Sequence, residues 1–110
     1  MRYAYGDKSW PHDENGYLEH FESWDEDLAA VIAAAEDIIL TPEHWEVLYF
    51  LRQYYADFEI APAIRVLTKA VARRLGPEKG NEAHLRRLFP GGPAKQACKI
   101  AGLPRPTGCV

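Results

Sequence analysis

Hydrophobic and polar positions change period about one fifth of the way along the chain. Over "RYAYGDKSW" the aromatics Tyr3, Tyr5 and Trp10 fall at alternating positions on either side of Gly6-Asp7. A period of two around a glycine-led pair predicts a hairpin with a two-residue turn. "ENGYLEHF" adds a turn and a short third strand around Tyr17 and Leu18. From Ser23 onward the apolar positions recur every three to four residues, which is the helical period.

Ser23-Trp24-Asp25-Glu26 reads as a capping box opening a first helix. The acids Asp25, Glu26 and Asp27 suit the positive end of its dipole. Leu28, Val31, Ile32 and Ala35 carry its apolar stripe to about Asp37. Thr41-Pro42 starts a second helix, with Trp45, Leu48, Tyr49, Leu51, Tyr55 and Phe58 among its apolar positions. Ala61-Pro62 starts a third, with Ile64, Leu67, Val71 and Leu75 inward and Gly76 as stop. Asn81 caps a fourth, "EAHLRRLF", and Gly92-Pro93 opens a fifth, "PAKQACKIA", which Gly102 ends.

After Gly102 the helical pattern stops. Pro104 and Pro106 lack amide donors and push Leu103 and Arg105 out of helical backbone. The expected architecture is one mainly α domain, an orthogonal helical bundle with a helix-turn-helix-like pair. Residues 1–20 form its hairpin region, 23–101 its helical core, and 102–110 a flexible C-terminal arm. No repeat, linker or low-complexity segment interrupts it.

Composition adds class and charge. The chain has 110 residues, with 47% apolar and 26% charged, as a soluble globular protein does. No apolar run approaches the ~18 residues of a membrane span, and "MRYAYGDKSW" lacks the apolar stretch of a secretory signal. A cytoplasmic location is expected. The net charge of −3 conceals two halves: residues 1–60 hold fourteen acids and three bases, and residues 61–110 two acids and ten bases. The basic half either attracts the acidic half or faces an anionic substrate or acidic partner.

That basic half also holds both cysteines, Cys98 and Cys109. In a reducing compartment two cysteines are a redox or carrier pair before they are a structural framework. Cys109, next to last on a Pro/Gly arm, has little to bury it. Seven residue steps separate it from Gly102, so at polyproline rise the arm spans roughly 20 Å. That reaches a cleft of another protein, or back to Cys98. A bridge closing that twelve-residue loop removes roughly 3 kcal/mol of chain entropy, a modest and reversible stabilisation. The reactive form is the thiolate. Lys95, Lys99 and Arg105 favour it, and the Val110 carboxylate opposes it at Cys109. Cys98 also reads as a small buried hydrophobe among Ala94, Ala97 and Ala101. Arg65 and Lys69 on the third helix are candidates to line the place where the arm folds back.

Other chemistries find less support. The second and third helices around "DFEIAPA" resemble a helix-turn-helix, with Arg73, Arg74, Arg86 and Arg87 available for phosphates, yet the acidic first half repels nucleic acid. His12, His20, His44 and His84 make no metal-ligand spacing with the cysteines, and His44 reads as a polar surface residue. Glu14, Glu22 and Asp25 read as solvated or capping acids. Gly91-Gly92 lacks the lysine and spacing of a phosphate loop.

The tail "GPAKQACKIAGLPRPTGCV" closely resembles the C-terminus of the DsrC family of small sulfur-carrier proteins. "LTPEHWEVLYFLRQYYADFEIAPAIRVLTKAV", "GPEKGN" and "ENGYL" extend the likeness over most of the chain. TusE-like relatives, sulfurtransferases of tRNA thiolation, are similar but generally lack the upstream cysteine, so two cysteines resemble the DsrC branch. The resemblance implies a co-substrate of dissimilatory sulfite reductase. Cys109 would be the carrier and Cys98 its partner, cycling through thiol, persulfide, disulfide and trisulfide. It implies the reductase α and β subunits, a membrane thiol-reductase complex and upstream sulfurtransferases as partners. Sirohaem and iron–sulfur clusters would sit in the reductase, with no cofactor on this chain.

Overall fold

The computed structural model describes residues 1–106. Strands β1 (Arg2–Tyr5) and β2 (Lys8–Pro11) pair antiparallel, with Tyr3 opposite Trp10 and Tyr5 opposite Lys8. Gly6 has φ +58 and makes the two-residue turn, in a region where a Cβ is unfavourable. Trp10 is buried, and its indole N–H donates to the Ser23 carbonyl at 2.9 Å, which ties the hairpin to the helices. Tyr17 and Leu18 do not form a strand; a single bridge joins His12 and Leu18. The reason is Asp13, whose carboxylate accepts from the Asn15 and Tyr17 amides and holds a turn.

Five helices follow. In α1 (Glu26–Ala35) the cap is Asp25, which accepts from the Leu28 amide at 2.9 Å, and not Ser23. Ser23 instead ends a 3-10 turn, Phe21–Ser23, and donates to the His20 carbonyl at 2.7 Å. The start shifts because Trp24 is extended, its indole N–H committed to the Ile100 carbonyl at 2.8 Å.

Helix α2 (Pro42–Phe58) buries Val47, Leu48 and Leu51, together with His44. Of its apolar positions, Tyr49 and Phe58 are 46% and 59% exposed, and Phe58 lies beyond Leu51, the last buried residue of the helix. His44 is a correction to the surface reading. Its Nδ1 accepts from the Thr41 amide at 3.1 Å, which assigns the ring proton to Nε2, 2.7 Å from the Leu88 carbonyl. A buried ring with both nitrogens satisfied is a stable arrangement.

Helices α3 (Ile64–Leu75), α4 (Glu82–Leu88) and α5 (Pro93–Ile100) complete the bundle. Asn81 caps α4 by accepting from the His84 amide at 2.8 Å. Helix α5 is central: it packs against α1, α2, α3 and α4. Ala94, Ala97 and Ala101 are small enough for those neighbours to approach closely, and all three are buried. Around them close Leu28, Ile32, Leu48, Leu51, Leu67, Leu85 and Phe89, each fully buried aliphatic residue contributing about 1.5–3 kcal/mol. The arrangement is the expected mainly α bundle with its hairpin.

Candidate functional site

Cys98 lies on the inner face of α5 and is fully buried. Its Sγ is 4.0 Å from the Pro62 carbonyl oxygen. Burial pushes the thiol up to about 12, because a thiolate here would lose its water. The basic residues were expected to favour a thiolate. At Cys98 that help is outweighed: desolvation dominates, and in this conformation the side chain is a neutral, shielded thiol.

The arm is anchored where it leaves α5. The Gly102 amide donates to the Lys99 carbonyl at 3.1 Å and the Leu103 amide to the Cys98 carbonyl at 2.9 Å. This pair is a Schellman motif, in which Gly102 takes the left-handed position at φ +76. The same glycine permits a close approach, since a Cβ there would stand 2.5 Å from Trp24 Cδ1. Arg52 holds this corner from outside. Its guanidinium donates to the Ala101 carbonyl at 3.2 Å and lies 3.7 Å over the Phe21 ring and 4.6 Å over Trp24. Burial pulls Arg52 down to about 10, so it stays cationic at neutral pH. The expectation of an arm free from Gly102 onward therefore shifts: Gly102, Leu103 and Pro106 are buried, while Pro104 and Arg105 are exposed. Leucine after a helix-ending glycine closes over the last turn and buries its side chain there.

Beside this anchor lies a polar cleft of about 220 Å³. Lys95, Lys99 and Arg105 line it with Asn15, Tyr17 and Glu36. Lys99 Nζ is 3.4 Å from Glu36 Oε2 and 5.3 Å from the Tyr17 ring centroid. Gln96 fixes the carboxylate by donating to Glu36 Oε1 at 3.1 Å, while its own carbonyl accepts from the Gly91 amide at 2.8 Å. The Tyr17 phenol is held above its ordinary range, first by burial and then by the field of Cys98, with Arg105 acting the other way. Three bases against one acid make the cleft favourable to an anion.

The structure thus brings Lys95, Lys99 and Arg105 to one place beside the helix of Cys98. It sets Lys69 apart, in a groove lined with α2. Arg65 is exposed on the first turn of α3, three residues beyond Pro62. Cys109 lies outside the described residues. Sequence reasoning missed Tyr17, Glu36 and Gln96, whose partners come from distant segments. Arg52 carried a signal, being one of three bases in the first sixty residues. Among the described residues no three His, Cys, Asp or Glu side chains gather as a metal cage, and no helix is long and apolar enough to cross a membrane.

The family described as "DsrC like protein" matches residues 4–110. The chain belongs to the DsrC-like family. It is similar to Sulfurtransferase TusE of Escherichia coli strain K12, 57% identical over 98 residues, or 89% of this chain and 90% of that one. Among solved structures, the NMR structure of Allochromatium vinosum DsrC superposes with TM-score 0.90 and 53% identity. The oxidized gamma-subunit of dissimilatory sulfite reductase from Archaeoglobus fulgidus does so with 0.85 and 40% identity. Both superpositions cover 100% of each chain. Cys98, the arm's anchor and the basic cleft adjoin one another along α5 and its C-terminal end, and together they are the candidate site.

Proposed function

We propose that the chain is a sulfur carrier in a protein-to-protein relay, with Cys109 as the residue that holds the cargo. The Cys109 thiolate attacks the outer sulfur of a donor persulfide. The donor leaves as a thiolate, and Cys109 keeps the sulfur as a persulfide. An acceptor thiol repeats the exchange, so no external oxidant or reductant is needed. One observation carries this reading: three basic side chains gather in one cleft beside the arm's anchor. An ionised persulfide is an anion that such a cleft stabilises.

The 57% identity to a protein named Sulfurtransferase TusE supports a relay of the tRNA-thiolation type, with other sulfurtransferases as donor and acceptor. A second reading is favoured by Cys98. A thiol at the arm's base allows sulfite, reduced by two electrons in a partner reductase to an S(II) species, to condense with the Cys109 and Cys98 thiols, losing its oxygens as two waters, so that the sulfur bridges both as a trisulfide. The likeness to a dissimilatory sulfite reductase gamma-subunit supports that role. In this reading the reductase is the partner, and its sirohaem does the reduction.

Intact-mass analysis tests both, the relay after incubation with a persulfide-loaded sulfurtransferase. The relay expects a gain of one sulfur that Cys109→Ala abolishes and Cys98→Ala leaves intact. The second reading is tested with sulfite reductase and sulfite. It expects an alkylation-resistant species, one sulfur heavier and two hydrogens lighter than the dithiol, that disappears in Cys98→Ala. A gain of sulfur persisting in Cys109→Ala sinks both readings.

A further inference from the structure

The groove between the C-terminal half of α2 and α3 has no part in the site above. Phe50, Tyr54 and Phe58 recur every four residues and so line one face of α2. Their ring centroids are 6.0 Å and 4.8 Å apart in succession. Across from them α3 presents Val66 and Ala70, with Lys69, Arg73 and Arg74 along the rim. The space between holds about 390 Å³.

Phe58 and Val66 are 59% and 48% exposed, and Ile60 in the connection between the helices is 51% exposed. Single exposed apolar side chains are ordinary, but a contiguous aromatic floor marks a contact surface. We propose that this groove docks an acidic amphipathic helix of a partner protein.

Charge selects that occupant. Three cations on α3 face one carboxylate, Asp57, on the α2 side. Arg73 and Arg74 stand exposed in the last turn of α3, where a partner's acids can meet them. The apolar floor requires anchors at every third or fourth residue of the visiting helix, and its flank supplies Glu or Asp. A nucleic acid satisfies the cations but leaves the floor uncovered, and the fourteen acids of residues 1–60 repel it. The groove shares no lining residue with the basic cleft, so a partner docked here leaves that cleft open.

The test titrates the full chain against a fluorescent synthetic helix with Leu at every third or fourth position and Glu elsewhere. Saturable binding is expected, weaker as salt rises. Phe58→Ser, Val66→Glu and Arg73→Glu should each weaken it at least about tenfold, while Arg2→Glu should not. Amide shifts should move along residues 50–74. All three groove positions are exposed, and circular dichroism verifies that the variants fold. Equal binding of a Lys-for-Glu peptide, or binding indifferent to all three variants, overturns the proposal. So does failure of the peptide to bind while a short DNA duplex binds at physiological salt and is lost in Arg73→Glu. A dimer in sedimentation that Phe58→Ser dissociates would assign the groove to a second copy and equally overturn it.

Discussion

The Leu103 amide donates to the Cys98 carbonyl at 2.9 Å, so a buried residue at the start of the arm is latched to the residue that carries the buried thiol. Both side chains are fully buried in the same cluster. The thiol cannot meet a sulfur brought by the arm while this corner stays closed. The prediction is that Cys98 becomes exposed when Leu103 is released.

That coupling is measurable by alkylation. With its thiol pushed from 9.0 to about 12, native Cys98 should react at pH 8 about a thousandfold slower than a free thiol, since the rate follows the thiolate fraction. Leu103→Ala should raise the rate at least about tenfold and lower stability by about 2–5 kcal/mol. Rates for Cys98, followed by peptide mass mapping, that stay unchanged in Leu103→Ala would separate the latch from the thiol.

Gly102→Ala tests the anchor from the other side. The position combines φ +76 with a would-be Cβ only 2.5 Å from the rigid Trp24 ring. Backbone strain of this kind costs about 1–3 kcal/mol, and displacement of the indole should shift Trp fluorescence. Urea denaturation reads the cost. An unchanged midpoint would mean that the corner relaxes freely.

Much of this was legible in the chain because local signals agreed with packing. Thr41-Pro42, Asn81 and Gly92-Pro93 all open helices where their cap chemistry indicates. Two misreadings, at Ser23 and His44, share one cause, a partner far along the chain. Ser23 lost its cap role because Trp24 is bonded to Ile100. His44 is buried because Leu88 offers it a carbonyl. Phe58 matched the helical period, yet its helix outruns the core. At the site, Lys95, Lys99 and Arg105 are near in sequence and were found together. Glu36 and Tyr17 join them only through the tertiary fold.

Arg52 offers a test of that tertiary contribution. It stacks on Phe21 and Trp24 and donates to the Ala101 carbonyl, so one side chain clamps the start of the helical region to the end of α5. Arg52→Ala should cost about 1–3 kcal/mol, the range for a hydrogen bond from a charged donor plus a stacked cation. Arg52→Lys should recover little, because an ammonium lacks the planar face that two rings contact. Thermal melts of the three proteins decide it. Full rescue by lysine would reduce Arg52 to a charge.

The alkaline limb of stability isolates Cys98. Its folded pKa, about 12, lies above the ordinary value of 9.0, so between those pH values the native state holds a proton that the unfolded chain has released. The contribution is fully present below about pH 9 and is lost as pH rises toward 12, at about 1.4 kcal/mol per pH unit. Tyr3, pushed up to about 12 mainly by burial, and Tyr17, shifted in the same direction, add to the fall in that window. The Cys98 share must therefore come from a difference. Between pH 9 and 10.5, wild type should lose stability more steeply than Cys98→Ala, and the two proteins should run parallel between pH 6 and 8. Denaturant titrations across both ranges measure this. Parallel curves above pH 9 would mean that water reaches the thiol and that Cys98 is not sealed from solvent.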